Sequence, residues 1–484
     1  MADPAPHPTS GAPPLPFGLN IRLSVMMFLQ YAIWGAWLPI LYPFLMGHRG
    51  FSLDQTGWIL AAGAAGAIVG PFVAGQFADR HFHTEKFLAV SHLLGAAVVW
   101  FLASVDGFWP FLFLSLVYGV IYAPTLALTN SLAFHHLPDR DRDFGKVRVW
   151  GTIGWIVVGI GVGHWLGGNY TPEGKDALLE WANTLGLTDL AAALPAAAGE
   201  ELGQIRAQIQ TAAQNSGRAG AFQLSALLGV VMAAYCLLLP KTPPSSSPKE
   251  SNASLEALGE VKRQPLLTLF LLAVPISMIH QFYFVHTSGF LTALQVRVTE
   301  AESFAQSINA VLGVGGGGLM TIGQMTEILV LAAMPFLAKK VSRKSLLAVG
   351  IAAYAVRMAI FAYADGMVPI LIGVGLHGLC FGCFIFVAFM VVDEETTPDV
   401  RASAQNLFNL VIVGIGIIVG SWFATSVVGA YATVPDPADP ARTITDYTRL
   451  FSVPMFMALA CLGALLAFYR GGRTSPVAVE GAPS

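Results

Sequence analysis

The sequence predicts an all-α membrane protein, with twelve spanning helices in two six-helix bundles around a central cavity. Of the 484 residues, 55% are hydrophobic and 11% are charged, which is too little charge to cover the surface of soluble domains. The apolar residues are gathered in runs long enough for a helix to cross a bilayer and too long for barrel strands. A short stretch of the first half recurs in the second half, which indicates two related bundles.

Six candidate spans lie in each half of the chain. Those of the first half are 20–46, 56–78, 87–105, 109–134, 149–166 and 221–239. Those of the second half are 266–291, 317–337, 345–363, 368–392, 404–430 and 450–468. The predicted organisation is a disordered tail (1–19), a first bundle (20–240), a cytosolic linker (241–264) rich in Pro and Ser, a second bundle (265–470) and a tail (471–484). Residues 1–16 lack a basic region before a short apolar core, so a cleaved signal peptide is not predicted.

The charged and reactive residues exclude several other classes. The 26 Lys and Arg against 29 Asp and Glu leave a formal charge of −3, without the basic excess that holds nucleic acid. All four cysteines lie in apolar runs, so neither a disulfide framework nor a metal site is predicted. We find no nucleophile and base in a plausible arrangement, so the chain is predicted not to be an enzyme and to need no cofactor.

The placement of Lys and Arg predicts the orientation, because cytoplasmic loops carry an excess of these residues. With a cytosolic N-terminus, eighteen of the 26 fall in inside segments, seven in outside segments and Arg357 within a span. Three of the outside seven lie in one long loop, which the rule discounts. Both termini are therefore expected in the cytosol.

An internal repeat supports the division into two bundles. The stretch 71–90 begins PFVA and ends KFLAV, and the stretch 335–349 begins PFLA and ends KSLLAV. Each joins the second and third spans of its half. Repeats of this kind are typical of transporters.

A long insertion, 167–218, separates the fifth and sixth spans on the outside face. It contains two helix-like segments, 175–185 and 199–214. Loops of this length usually have a structure or function of their own. We interpret the insertion as a small cap over the outer mouth.

Glu327 is the only carboxylate in the cores of the predicted spans. A charge in hydrocarbon costs about 2.5–3.5 kcal/mol, so such groups usually face a cavity and serve a function. Gln324 lies three residues earlier, on the same helix face. An amide and a carboxylate together can bind a polyol or the edge of a heterocycle, and the carboxylate can also take up a proton. The alternative is a glutamate paired with an arginine that holds two helices together.

The fifth span begins with Arg148, Thr152 and Trp155 on one helical stripe. A cation, a hydroxyl and an aromatic ring suit a ligand with a polar end and an aromatic end. The alternative is an arginine at the membrane interface beside a tryptophan of the aromatic belt.

The seventh and tenth spans carry further polar groups. Pro275 precedes His280 and Gln281 and can break the seventh helix beside a site. His377 and Phe381 lie one turn apart in the tenth span, and a histidine can relay protons. The alternative for each histidine is a packed, hydrogen-bonded residue.

Several motifs resemble those of a known family. Residues 75–80, GQFADR, resemble the loop between helices two and three of the major facilitator superfamily. The resemblance implies that Asp79 and Arg80 belong to a cytosolic gate. More specific motifs are FLQYAIWGAWL at 28–38, YAPTL at 122–126, RVWGTIG at 148–154, QMTE at 324–327 and RASAQ at 401–405. Together these resemble the bacterial nucleoside:proton symporter family of that superfamily over residues 23–468, apart from the insertion and the linker.

The resemblance implies the major facilitator fold, a multi-pass location in the bacterial inner (cytoplasmic) membrane and a set of binding residues. The expected substrate-binding residues are Arg148, Thr152, Trp155, Gln281, Gln324, Glu327, His377 and Phe381. Glu327 and His377 are also expected to couple protons.

Three positions differ from the family pattern. Phe284 stands where the family has an asparagine, His377 where it has a tyrosine, and Gly382 where it has an acidic residue. The first two differences bear on the exact substrate. The third leaves Glu327, with His377, to carry the proton.

We therefore predict proton-driven import of neutral nucleosides by alternating access. The expected partners are the nucleoside, protons and the lipid bilayer, without nucleic acid, and a monomer is expected. In the geometry of the superfamily the fifth and eighth spans meet, so the resemblance implies that Arg148 approaches Glu327. Two alternatives remain: transport of another small polar solute, such as a sugar, on the same fold, and a non-transporting membrane sensor.

Overall fold

A computed structural model describes residues 13–72, 82–244, 259–298, 303–397, 401–437 and 443–470. Its six long helices in the first half are helix one (Phe17–Gly47), two (Leu53–Phe72), three (Thr84–Leu102), four (Phe108–His136), five (Arg140–Asn169) and six (Ala219–Cys236). Those of the second half are helix seven (Leu266–Val298), eight (Gly317–Lys340), nine (Arg343–Tyr363), ten (Met367–Glu395), eleven (Ser403–Ala432) and twelve (Tyr447–Phe468).

Eleven helices among the described residues are long and apolar enough to cross a membrane. Each overlaps one of the predicted spans. The remaining predicted span, 56–78, overlaps helix two, which is 20 residues long and is not among the eleven. Its last residues, 73–78, lie outside the described part of the chain.

The two halves have separate hydrophobic cores. One large cluster is built from buried residues of helices seven to twelve, and another from buried residues of helices one to six. Helix five packs along both helix one and helix eight, and helix two packs along helix eleven. Helices five and eight therefore meet between the halves, as the sequence predicted.

The insertion folds into three short helices, Lys175–Thr184, Thr188–Ala193 and Gly199–Gly217. The first and third correspond to the two predicted segments, and the second was not predicted. Leu178, Leu194 and Ile209 belong to a hydrophobic cluster of the insertion alone. The insertion is thus a small folded unit that follows helix five.

Several helices depart from regular geometry. Helix one contains a 3₁₀ turn, Leu38–Ile40, around Pro39. Helices ten and eleven contain π-helical stretches at Cys380–Phe386, Leu410–Ile415 and Phe423–Gly429. Helix seven continues unbroken through Pro275, so the predicted interruption does not occur.

Two small elements were not predicted from the sequence. A helix at Ser303–Leu312 precedes the glycine-rich loop into helix eight. Two strands, Thr433–Pro435 and Thr443–Thr445, pair in antiparallel fashion before helix twelve.

The helix ends define two faces of the molecule. On the face that we call the terminal face, Arg142 bonds to the carbonyl of Pro13 (2.8 Å), and Lys344 bonds to the carbonyl of Leu466 (2.8 Å). The opposite face carries the insertion and the loop into helix eight, and we call it the insertion face.

Candidate functional site

Glu327 lies at a close contact between helices eight and ten. A β-carbon at Gly378 of helix ten would overlap the backbone of Thr326, so only glycine permits this approach. The Thr326 hydroxyl donates to the carbonyl of Gly375 at 2.7 Å and accepts from the amide of Gly378 at 3.3 Å. This packing places the side chain of helix ten's His377 beside the Glu327 carboxylate.

His377 is the nearest basic partner of Glu327. Its Nε2 lies 3.8 Å from Glu327 Oε2. The Glu327 side chain keeps 15% of its accessible surface, whereas His377 keeps 2%. The carboxylate therefore lies at the accessible edge of the pair, and the imidazole lies behind it in the protein.

Behind His377 lies Arg357 of helix nine, which is fully buried. Its Nη1 is 3.0 Å from His377 Nδ1. Its guanidinium also lies over the rings of Tyr283 and Tyr354, at 4.5 and 5.1 Å from their centroids. The sequence places Arg357 within a span but predicts no partner for it, because it does not reveal that helices nine and ten bring Arg357 to His377.

Gln324 lies one turn before Glu327 on helix eight. It is 6% exposed, and its side-chain oxygen has no hydrogen-bond partner among the described residues. A buried acceptor without a partner costs about 1–3 kcal/mol. The amide is thus available to bond a ligand that enters beside Glu327.

The helix-five stripe lies against helix one. The Arg148 guanidinium sits 4.1 Å from the centroid of the Tyr31 ring. Arg148, Thr152 and Trp155 are all half-buried, whereas the neighbouring Trp150 is 43% exposed. The three predicted residues are therefore partly accessible, and Trp150 projects from the outer surface of the bundle.

Arg148 does not form an ion pair with Glu327 within 4.0 Å in the described part of the chain. It nevertheless attracts the carboxylate electrostatically. Arg148 and Glu327 thus interact electrostatically between the halves without direct contact. The residue in close contact with the carboxylate is His377. The alternative reading of Glu327 as half of an arginine–glutamate clamp does not describe this geometry.

Gln281 and Phe381 complete the predicted set. Gln281 is buried on helix seven and packs against helix eleven at Gly420. Phe381 is half-buried and packs on the core of the second half. Phe284 meets the His377 ring edge-on, with centroids 6.1 Å apart. Phe284 of helix seven thus lies beside His377 of helix ten, whereas the described contacts of Gln281 and Phe381 are with helix eleven and with the core of the second half.

Gly382 stands where the family pattern has an acidic residue, and a side chain of helix eight occupies the space beside it. A β-carbon at this glycine would overlap the side chain of Val330. A longer side chain would thus have to displace Val330 in this packing. Asp79 and Arg80, the predicted gate, lie outside the described residues.

The two halves meet in a set of polar contacts on the insertion face. The amide of Val314 donates to the carbonyl of Gly163 at 3.2 Å, and His164 Nε2 lies 3.1 Å from the carbonyl of Val311. Arg218, fully buried, donates to the hydroxyl of Thr292 (3.2 Å). From the sequence, Arg218 is one of the three basic residues of the outside insertion. Its burial was not predicted, because it depends on contacts with the second half.

Arg218 also donates to the carbonyl of Gly315 (3.3 Å) and to the side chain of Asn215. Tyr42 of helix one meets His286 of helix seven with ring centroids 4.8 Å apart. These contacts join the first and second halves at one end. On the terminal face, Lys344 bonds within the second half, and Thr397 bonds to Glu260 of the linker. Contacts between the halves therefore close the insertion face in this conformation.

Comparisons with known proteins point to one group of relatives. The model of a family described as nucleoside H+ symporter matches residues 17–198 and 201–473. YegT of Escherichia coli (strain K12), named as a candidate nucleoside transporter, is 31% identical over 82% of this chain and 82% of its own length. Xanthosine permease of the same organism is 27% identical over 83% of this chain and 86% of its own.

The fold is also that of a solved transporter. The crystal structure of the nucleoside transporter NupG superposes with a TM-score of 0.71, covering 94% of this chain and all of that chain, at 21% identity. At this identity the likeness establishes the fold. The predicted all-α membrane fold, of the major facilitator type, is confirmed.

Proposed function

Since the chain belongs to the nucleoside H+ symporter family, we propose that it imports neutral nucleosides, driven by protons that move inward across the bacterial inner membrane. Its curated relatives include permeases, so it is a multi-pass membrane transporter and not an enzyme. The observation that carries the proposal is the setting of Glu327. This carboxylate has an accessible edge, a buried histidine behind it and the charge of Arg148 acting on it from the other half.

The polar end of the nucleoside binds near helix eight. Gln324 offers a buried oxygen without a partner, and Glu327 lies one turn further along the same face. Gln281 and Thr152 supply further hydrogen-bonding groups from helices seven and five. A neutral sugar hydroxyl or base edge satisfies such groups without bringing a second charge into the site.

The base stacks on aromatic rings. Trp155 lies on helix five and Phe381 on helix ten, so the two rings come from different halves. Stacking on an aromatic side chain contributes about 1–3 kcal/mol per base. Because each half supplies one ring, a bound base ties the halves together, and its release accompanies their separation.

Transport proceeds by alternating access with both chain termini in the cytosol. In this orientation the insertion face is the outer side, and the contacts of Arg218, Gly163 and Tyr42 close it. Glu327 takes a proton when the site faces outward and gives it up when the site faces the cytosol. Its change of charge alters the attraction between Glu327 and Arg148, which lie in opposite halves.

Uptake into proteoliposomes tests the proposal. The purified chain is reconstituted, and uptake of labelled uridine is followed with and without an inward proton gradient, in competition with a panel of nucleosides and sugars. Accumulation that needs the gradient and is competed by nucleosides supports the proposal. Competition by sugars alone would assign a different solute, and binding without uptake would indicate a sensor.

A second candidate is a facilitator that moves nucleosides without protons. The packing of Val330 at Gly382 favours it, because the acidic side chain of the family pattern has no counterpart there. The same assay separates the two candidates. A facilitator equilibrates uridine at the same final level with or without the gradient, and its Glu327→Gln variant behaves similarly.

A further inference from the structure

Arg357 is a buried cation without an acidic partner. It is fully buried in helix nine, and no carboxylate lies within ion-pairing distance of it in the described part of the chain. Two of its nitrogens, Nε and Nη2, have no hydrogen-bond partner there either. Burying a charged group that has so few hydrogen-bond partners costs free energy of folding. Such a group is expected to serve a purpose beyond packing.

Among the described residues, Arg357 is hydrogen-bonded to the Nδ1 atom of His377, at 3.0 Å from Nη1. A guanidinium has only donors, so His377 Nδ1 must accept this hydrogen bond and carries no proton. A neutral imidazole then holds its proton on Nε2. That nitrogen is the one that lies 3.8 Å from Glu327 Oε2.

A second proton on His377 would conflict with this arrangement. It would place an Nδ1–H against the Arg357 guanidinium. Two N–H donors, and two positive charges, would then face each other in a buried place. The other groups around the imidazole do not offset this. They are the ring of His280 (5.4 Å), the ring of Tyr283 (4.5 Å) and the Tyr354 hydroxyl, which is hydrogen-bonded to His280 Nδ1 at 2.7 Å.

Cys380 and Arg148 are the remaining titratable or charged groups that act on this cluster. Cys380 is a buried thiol and Arg148 is a second cation. Among the described residues of helices five, seven, eight, nine and ten, Glu327 is thus the carboxylate that faces the cluster.

We propose that Arg357 is a positioning residue for proton coupling, which fixes His377 as a neutral Nε2–H donor aimed at Glu327 and leaves Glu327 alone to bind the coupled proton. This proposal rests on the proposed function. In the loading step, a hydronium ion on the accessible side transfers its proton to a Glu327 oxygen, forming the carboxylic acid and water. In the release step, the acid returns the proton to water on the other side, and His377 keeps its own proton throughout.

The histidine tautomer gives a direct test that does not depend on transport. The full chain is labelled with nitrogen-15 in histidine, and the His377 signals are assigned by their loss in His377→Gln. We expect a neutral Nε2–H ring over about pH 5 to 8, where free histidine changes charge. In Arg357→Met the ring is expected to titrate in that range, and in Arg357→Lys, which keeps a cationic donor, it is expected to stay neutral. An Nδ1–H or charged ring in the unaltered protein would overturn the proposal, as would an unchanged ring in Arg357→Met.

Transport measurements give the functional counterpart. In Arg357→Met, a charged His377 would hold Glu327 ionised, so half-maximal uptake is expected to need about tenfold more protons outside, one unit of pH. Arg357→Lys is expected to stay near the original midpoint. A purely structural role of Arg357 would lower uptake evenly at all pH values, and that result would overturn the proposal.

His377→Gln separates the two possible proton carriers. Its amide can still donate to Glu327 but cannot titrate, so we expect slower uptake with the proton-to-nucleoside ratio preserved. A lost ratio would show that His377 itself carries the proton and would overturn the proposal. If the unaltered protein moves no nucleoside at all, the proposed function fails, whereas the tautomer result still decides whether Arg357 positions His377.

Discussion

The Arg148 guanidinium rests on the ring of Tyr31, 4.1 Å from its centroid. Arg148 begins the helix-five stripe, and Tyr31 lies on helix one in the same half. The arginine is therefore held by an aromatic face of its own bundle and not by an ion pair with the other bundle. Its charge remains available to a carboxylate or a ligand in the space between the halves.

Replacing Tyr31 by alanine is expected to weaken nucleoside binding by about twofold to thirtyfold, the range that corresponds to a cation–π contact of about 0.5–2 kcal/mol. The physical reason is that Arg148 loses the surface that orients it. Isothermal titration calorimetry on the detergent-solubilised protein measures the change. Tyr31→Phe keeps the ring and is the matched control. If the phenylalanine variant weakens binding as much as the alanine variant, the hydroxyl and not the ring face is responsible.

Replacing Trp155 by alanine is expected to weaken binding by about tenfold or more, because one stacked ring contributes about 1–3 kcal/mol. Trp150 lies five residues earlier on the same helix and is 43% exposed, so Trp150→Ala is the matched control. Equilibrium binding of labelled uridine to both variants provides the comparison. Equal losses in the two variants would remove Trp155 from the site.

Replacing Gln324 by leucine is expected to raise thermal stability and lower affinity at the same time. The change removes a buried oxygen that has no partner, a group that costs about 1–3 kcal/mol, but it also removes a ligand contact. Gln30→Leu is the matched control. The Gln30 oxygen is also buried without a partner among the described residues, but the Gln30 amide donates to the Thr125 hydroxyl at 2.8 Å, and the loss of that hydrogen bond should destabilise the protein.

Thermal unfolding of both glutamine variants, with and without uridine, measures these effects. Gln324→Leu should unfold at a higher temperature than the unaltered protein, and uridine should raise that temperature less than usual. A Gln324→Leu protein that is as unstable as Gln30→Leu, or that uridine stabilises normally, would contradict the assignment.

Replacing Arg218 by methionine is expected to open the insertion face. The change removes the donors to Thr292 and Gly315, both in the other half, and leaves helix six otherwise intact. Spin labels at Ser104 and Asp365 report on the opening, because these exposed residues lie on that face in opposite halves. The four native cysteines are buried, which favours labelling at the introduced sites.

Pulsed electron paramagnetic resonance should show a longer distance between these labels in Arg218→Met than in the unaltered protein. Arg218→Lys keeps one cationic donor and is expected to give an intermediate distribution. Identical distributions in all three proteins would mean that Arg218 does not hold this face closed.

Hydrophobic length made the membrane spans predictable. Eleven predicted spans coincide with long apolar helices, because a bilayer imposes a minimum apolar run on each of them. The ends were less predictable. Helix five begins at Arg140 and helix seven ends at Val298, well beyond the predicted 149 and 291, because polar turns continue a helix past the hydrocarbon.

Contacts between helices were predictable only in part. Gln324 and Glu327 share a face by spacing alone, and the structure keeps them together on helix eight. The neighbours of His377 depend on how helices eight, nine and ten are rotated about their axes, and one sequence does not contain that information. The same reason explains why the burial of Arg218, which the sequence places in the outside insertion, was not predicted.

The insertion carries a consequence of its own, because it has a separate hydrophobic cluster around Leu178 and Leu194 and sits on the face where the halves join. A compact unit of this kind offers a rigid epitope. An antibody fragment raised against it would supply a recognisable landmark for single-particle imaging. An antibody fragment that also bound the loop 313–316 would hold the two halves together on that face.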